Sequence, residues 1–454
     1  MALAPLRLAA AAGVVAVATA LYWIKKKSPE SGGGGDDDDG RESYSRRIGS
    51  TPMVELRSLS KLTGCRVLAK VEYANPGGTG KDRIALAMIE EAERDGRLRP
   101  GGTVVEGTSG STGISLSALS AARGYRCVIV MPDDQAPEKR RLIEGFGGEV
   151  HVVKTAAIAN PEHYVNVARR LAEGTPGAVF MNQFETLANY RAHLTATGPE
   201  IWRGAAQLCG GGSGGSKGVL GWFFGRRRRR RRRGGAAAKP GGDDDDDDDD
   251  FDDAVHAFVM AAGTGGTIAG VSQYLKARSG GRAAVILADP PGSSLYRYVR
   301  SGVCWNAGQA ERSLRRHRYD TIAEGIGLDR VTANLALAEI DDAVAVTDQQ
   351  AVDAAHYLLR HEGLFVGSSS AVNVAATVRF CAAARRRSSS SSAKFNPAPL
   401  LPPGAVVVTV LCDSGHRHTS RFWCREKLAS DFNLKWPSDK DPDPPAWMLA
   451  EGPL

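Results

Sequence analysis

TVVEGTSGSTGISLSALSAARG, Thr103–Gly124, reads as one unit of chain: an apolar strand, a turn of glycines and hydroxyls, then a helix. The pattern repeats outward. Upstream, RVLAKVEY (66–73) reads as a strand and RIALAMIEEAERDG (83–96) as an amphipathic helix ended by Gly96. Downstream come the strand RCVIVMP (126–132), the helix PEKRRLIEGFGG (137–148) and the strand EVHVV (149–153). The strand pattern resumes with AVHAFVMAAG (254–263) and AAVILADP (283–290) and ends with AVVVTVLCDSG (405–415). Short apolar strands alternating with helices imply an α/β fold, parallel sheets covered by helices. In such folds ligands bind beyond the carboxyl ends of the strands.

Three turns rich in glycine and hydroxyls are expected there. GTSGSTG (107–113) follows TVVE, GTGGT (263–267) follows AFVMAA, and GSSSA (367–371) follows GLFV, which also reads as a strand. A strand, a glycine turn and a helix bring bare backbone N–H groups and a helix dipole to bear on an anion. A fourth turn, NPGGTGKDR (75–83), places Lys81 behind its glycines. It is not a nucleotide P-loop: Asn75 stands where the first glycine belongs, and Asp82 where a hydroxyl would bind Mg²⁺. A solvated lysine on a surface turn is the plain alternative. No G-x-G-x-x-G opens the first unit, which disfavours a dinucleotide.

These motifs, with NQFETLANYRAHLTATGPEIW (182–202), EGIG (324–327) and CDSGHRHTS (412–420), stand in the order found in cysteine synthases. From Tyr44 to Trp423, two low-complexity segments apart, the chain resembles that family of pyridoxal-phosphate enzymes. The resemblance implies two parallel-sheet domains of the tryptophan synthase β-like fold within residues 44–440. The smaller would hold about 82–185, the larger about 44–81 and 186–440. It implies that Lys81 forms a Schiff base with pyridoxal phosphate, which an amine can do when a desolvated site keeps it neutral. Gly263, Thr264, Gly265, Gly266 and Thr267 then match the phosphate cup, and Ser369 the neutral partner of the pyridine nitrogen. Thr108, Ser109, Gly110 and Thr112 match the loop that takes the substrate α-carboxylate, with Gln183 as side-chain partner. Gly325 and Gly327 line the site. Ser111 is a departure: the family usually has asparagine there, against the cofactor ring hydroxyl. Gly80 and His418 are lesser departures.

The implied reaction joins sulfide to O-acetyl-L-serine after β-elimination of acetate, with Lys81 as anchor, base and acid. Two alternatives stay open: an L-cysteine desulfhydrase running the same elimination, and a non-catalytic membrane-tethered scaffold. A cystathionine β-synthase is not expected, because the chain ends soon after the last motif. A homodimer is expected from the family.

Composition is ordinary for a globular protein: 454 residues, 42% hydrophobic, net charge +7. No basic helix with interleaved aromatics appears, so nucleic acid is not expected as a partner. Seven scattered cysteines without C-x-x-C argue against a disulfide framework and against a zinc site. The apolar run LAAAAGVVAVATALYWI (8–24), followed by Lys25–Lys27, suits a transmembrane signal anchor of about 25 Å with the body facing the cytosol. A mitochondrial outer membrane is the first expectation and the endoplasmic reticulum the second. Residues 28–43 read as a flexible linker, 204–253 with its Arg and Asp runs as a disordered insertion, and 385–403 as a low-complexity loop.

Overall fold

The structure, a computed structural model, describes residues 43–209, 254–305, 321–387 and 401–449. The expected anchor (8–24) and nearly all of the linker lie outside those residues. So do most of the insertion and most of the low-complexity loop. The insertion was expected to begin at Gly204. Instead the helix Gly198–Cys209 runs through that point, because Ile201, Trp202 and Ala205 share one buried face.

The strands are β1 (Met53–Glu55), β2 (Arg66–Val71), β3 (Thr103–Gly107), β4 (Arg126–Pro132), β5 (Glu149–Val153), β6 (Ala178–Phe180), β7 (Ala257–Ala261), β8 (Ala284–Asp289), β9 (Asp342–Ala345) and β10 (Val406–Leu411). The smaller sheet has the order β5-β4-β3-β6 and is parallel throughout. The larger has the order β1-β2-β10-β7-β8-β9. It is parallel except at its edge, where β1 runs antiparallel to β2. That edge departs from the expected purely parallel sheet. The last strand in the chain is inserted centrally: Val406–Leu411 pairs with Arg66–Val71 on one side and with β7 on the other.

Both faces of the larger sheet are covered, which is why its strands read as continuous apolar runs. Val67, Ala69 and Val71 enter one core cluster and Leu68 the other. Likewise Ala257, Val259 and Ala261 face one side and Phe258 and Met260 the opposite. Full burial of Phe258 stabilises the fold by about 2–3 kcal/mol. The helix Lys81–Arg94 (α1) packs Ile84, Ala85, Met88, Ile89 and Ala92 onto the smaller domain's core. Tyr44 and Ile48, expected with the larger domain, pack there too.

GLFV is not a strand. Gly363, at φ 68, caps the helix Asp348–Glu362, and Val366 makes only an isolated bridge with Ser414. Its apolar character reflects a link between two helices in which Leu364 and Phe365 are half-buried and Val366 is buried.

Candidate functional site

The carboxyl ends of β3, β7 and β10, with the turn that follows β2, open onto one cavity. It is lined by Lys81, Thr108, Ser109, Ser111, Thr112, Gln183, Gly263–Gly265, Thr267, Gly325 and Ser369, among others. Of the expected site residues, Gly110 and Gly266 do not line it; each supports the loop it belongs to.

Lys81 is the first residue of α1. Its turn is held by the end of β10: Thr79 bridges Asp413, and the Gly80 amide donates to the Cys412 carbonyl at 3.3 Å. The Gly77 amide donates to Asp82 Oδ2 at 2.6 Å, and the Arg417 guanidinium donates to the Gly77 carbonyl. A side chain at Gly77 would lie 2.4 Å from Asp82 Oδ1, so the turn must be bare. Beneath it, a buried ion-pair network ties α1 to β2 and to the helix Gly198–Cys209. Arg83 binds Glu72 at 2.7 Å and Glu200 at 2.7 Å, and Lys70 binds Glu200 at 2.7 Å. Burial pulls the Lys81 pKa down, with Cys412, Asp413 and Glu72 opposing it. A larger fraction of neutral amine is therefore present than on a solvated lysine.

Gly263–Thr267 leads from β7 into the helix Gly266–Arg278 (α2). The first amides of a helix have no intrahelical acceptor and face an anion well. Here the backbone is packed so closely that only glycine fits. A Cβ on Gly263 would lie 2.2 Å from the Gly325 carbonyl, and one on Gly266 would lie 1.9 Å from Asn189 Oδ1. Gly265 has φ +87 and abuts Leu335. Asn189 Nδ2 donates to Thr264 Oγ1 at 2.8 Å, and the Thr267 hydroxyl lies 3.1 Å from His193 Nε2. Burial pushes His193 down to about 3, so this support is uncharged at neutral pH.

The loop Thr108–Thr112 leads from β3 into the helix Ser111–Arg123. Gly110, at φ +128, lies against Lys139, where a Cβ would meet Cδ at 2.6 Å. Gln183 is buried, and both ends of its amide are engaged: Oε1 accepts from Thr112 Oγ1 at 2.7 Å, and Nε2 donates to the Gly107 carbonyl at 3.0 Å. It therefore supports the loop from behind. Ser369, in the first turn of the helix Ser368–Arg387, is buried opposite. Asn373 on that helix fastens the ends of two strands, accepting from the Ala261 amide at 2.8 Å and donating to the Val410 carbonyl at 2.8 Å.

Sequence reasoning missed a charged cluster that closes one wall. Glu324 pairs with Lys139 at 3.0 Å and lies 2.7 Å from His418 Nδ1, while His418 Nε2 meets Asp413 at 3.0 Å. Glu324 is held well below the usual carboxylate range by Lys139 and His418, against its burial. Asp413 and Glu324 both line the cavity, as does Cys412, whose thiol burial pushes up to about 11. Only the departure at His418 hinted at this cluster, because its members come from distant parts of the chain. Among the described residues no group of three or more His, Cys, Asp or Glu is placed to hold a metal ion.

A family profile described as pyridoxal-phosphate dependent enzyme matches residues 44–236 and 248–413. Cysteine synthase 2 of Schizosaccharomyces pombe is 43% identical over 392 residues, covering 84% of this chain and 83% of that protein. The putative mitochondrial cysteine synthase of Saccharomyces cerevisiae is 40% identical over 406 residues, covering 87% of each. Among solved structures, O-ureido-L-serine synthase superposes with a TM-score of 0.60 at 27% identity, covering 90% of this chain and 98% of that one.

Proposed function

The chain belongs to the pyridoxal-phosphate dependent enzyme family, and on that footing we propose that it is a cysteine synthase, making L-cysteine and acetate from O-acetyl-L-serine and sulfide. The observation that carries this reading is the convergence of a partly desolvated lysine, a glycine-built anion cup and a hydroxyl loop on one cavity. The similarity to curated cysteine synthases at 40–43% identity supports the choice of substrates.

The residues fit the cofactor. The cup at the start of α2 offers amides and the Thr264 and Thr267 hydroxyls to a phosphate, in a cradle that any Cβ at Gly263 would obstruct. Lys81 would hold the aldehyde carbon, and Ser369 would meet the ring nitrogen. When bound, the cofactor supplies an electron sink conjugated to the substrate Cα, so that the α-proton is acidified and acetate can leave Cβ.

The chain's own residues do the rest. Thr108, Ser109 and Ser111 receive the α-carboxylate with hydroxyls and the loop adds its amides, while Thr112 gives its hydroxyl proton to Gln183 and anchors the loop. Lys81 Nζ, as the free amine, would take the α-proton and later return a proton to Cα. The downward shift of its pKa by burial raises the share of neutral amine that can act as base. At the ring nitrogen Ser369 would offer a neutral hydroxyl and no carboxylate charge, a partner that suits elimination. Gly325, at φ +75 with only Ser109 Oγ near a would-be Cβ, leaves room for the departing acetate. Borohydride reduction of the purified protein should fix the cofactor to the peptide carrying Lys81, read as a mass increment. An increment on another lysine would overturn the assignment.

With this we propose a tether through Leu8–Ile24 that leaves the body in the cytosol, at the mitochondrial outer membrane before the endoplasmic reticulum, and a homodimer. The apolar run and the three lysines after it support the tether, and the mitochondrial name of the yeast relative supports the first membrane. Among the described residues no helix is long and apolar enough to cross a membrane. Full-length protein released by carbonate would remove the tether; a solution mass of one chain would remove the dimer.

A further inference from the structure

Behind the hydroxyl loop lies a carboxyl group that no step above uses. Glu106, near the end of β3, is fully buried. Its Oε1 accepts from the Gly107 amide at 2.9 Å and from Gln183 Nε2 at 3.4 Å. Its Oε2 accepts from the Gln183 amide at 3.2 Å. Burial pushes its pKa up to about 8, while the N–H donors on its two oxygens pull it down.

The orientation of the Gln183 side chain follows from its partners. The Gly107 carbonyl can only accept, so the NH₂ end of the amide must face it. The oxygen end is then turned to Thr112 and accepts its hydroxyl proton. The rotor of Thr112 is thereby fixed at the start of the loop's helix. Gln183 follows Asn182, a non-glycine residue at φ 56, a conformation that persists only where the surroundings hold it. Two of the holding contacts come from Glu106. On the far side, the Gln183 carbonyl accepts from Asn189 Nδ2 at 3.0 Å, and the same Nδ2 reaches Thr264 at 2.8 Å.

We propose that Glu106 is a positioning residue for the amino-acid substrate: by holding the main chain and the side-chain amide of Gln183 it fixes the Thr112 hydroxyl, and with it the loop that takes the α-carboxylate. This rests on the reading of Thr108–Thr112 as the carboxylate loop. Glu106 acts through Gln183 and Thr112 and touches no reactant.

Glu106→Gln tests it, because the shape is kept while one of the two acceptor oxygens becomes a donor facing a donor. The KM for O-acetylserine should rise about 3- to 10-fold. The kcat and the KM for sulfide should stay within about twofold, since the interaction is with the bound amino acid in ground and transition state alike. Glu106→Asp, which keeps both oxygens on a shorter arm, should show the same split to a smaller degree. The decisive readout is discrimination between O-acetylserine and its methyl ester, measured beside Thr112→Val. If both Glu106→Gln and Thr112→Val lose preference for the free acid, the proposal stands. If Thr112→Val loses it and both Glu106 variants keep it, the proposal is overturned and the loop reading survives. If none loses it, the loop does not take the carboxylate and the proposal falls with that reading. A uniform loss of kcat and cofactor absorbance in both Glu106 variants, with discrimination intact, would show a structural role only and also overturn it.

Discussion

The anion cup and the hydroxyl loop both join the carboxyl end of a parallel strand to a helix, yet they are built from different materials. The cup at Gly263–Thr267 is backbone: close packing against Gly325, Leu335 and Asn189 leaves no space for a Cβ. The loop at Thr108–Thr112 is side chain: its hydroxyls line the cavity, and its orientation is passed on from Gln183 and Glu106. Where backbone is packed this closely a substitution must displace its neighbours, whereas a side chain facing the cavity can change without moving the backbone behind it.

The largest effect should therefore come from the cup. Gly266→Ala forces a Cβ into Asn189, and overpacking of that kind should weaken cofactor retention about 10- to 100-fold. Dialysis followed by visible absorbance measures it, and unchanged retention would break the comparison. A smaller effect is expected in the loop. Ser111→Asn puts a longer amide into the cavity and should raise kcat/KM for O-acetylserine about 3- to 10-fold, with a smaller change in cofactor retention. If retention changes more than kcat/KM, the loop is part of the cofactor cradle after all. The smallest effect concerns charge. His193 stands behind Thr267 and is pushed down to about 3, so it stays neutral as pH falls from 8 to 5. The pH dependence of cofactor retention in His193→Gln should accordingly run parallel to wild type over that range. An extra gain near pH 6.5, present only in wild type, would show that an imidazolium forms and that the cup is not purely a backbone device.

The same contrast explains what the sequence revealed. Strands β2, β3, β4, β7, β8 and β10 are legible because burial on both faces makes them mostly apolar runs, and the more exposed β5 is legible from its valines. The short strands β1, β6 and β9 span three or four residues, too few to show a period, and went unread. GLFV departs from the reading because a half-buried link between helices can be as apolar as a strand. Lys81 and the glycine turns stood out because a bare backbone leaves its mark in consecutive residues. The network Lys70–Glu200–Arg83–Glu72 and the cluster Glu324–His418–Asp413 did not, because their partners come from different elements and carry no local pattern. Glu106 was hidden for a related reason: a single acid within a strand looks like an ordinary interruption, and its partner Gln183 comes from a distant part of the chain.

The measurement that bears most directly on the central claim is product formation by the purified full chain. Wild type and Lys81→Ala are each supplied with O-acetylserine and sulfide, and in parallel with cysteine alone. The account predicts rapid cysteine formation by wild type, slow sulfide release from cysteine, and loss of both activities in Lys81→Ala. Faster sulfide release than cysteine formation would make the protein a desulfhydrase, and near-normal turnover by Lys81→Ala would contradict the role given to that lysine.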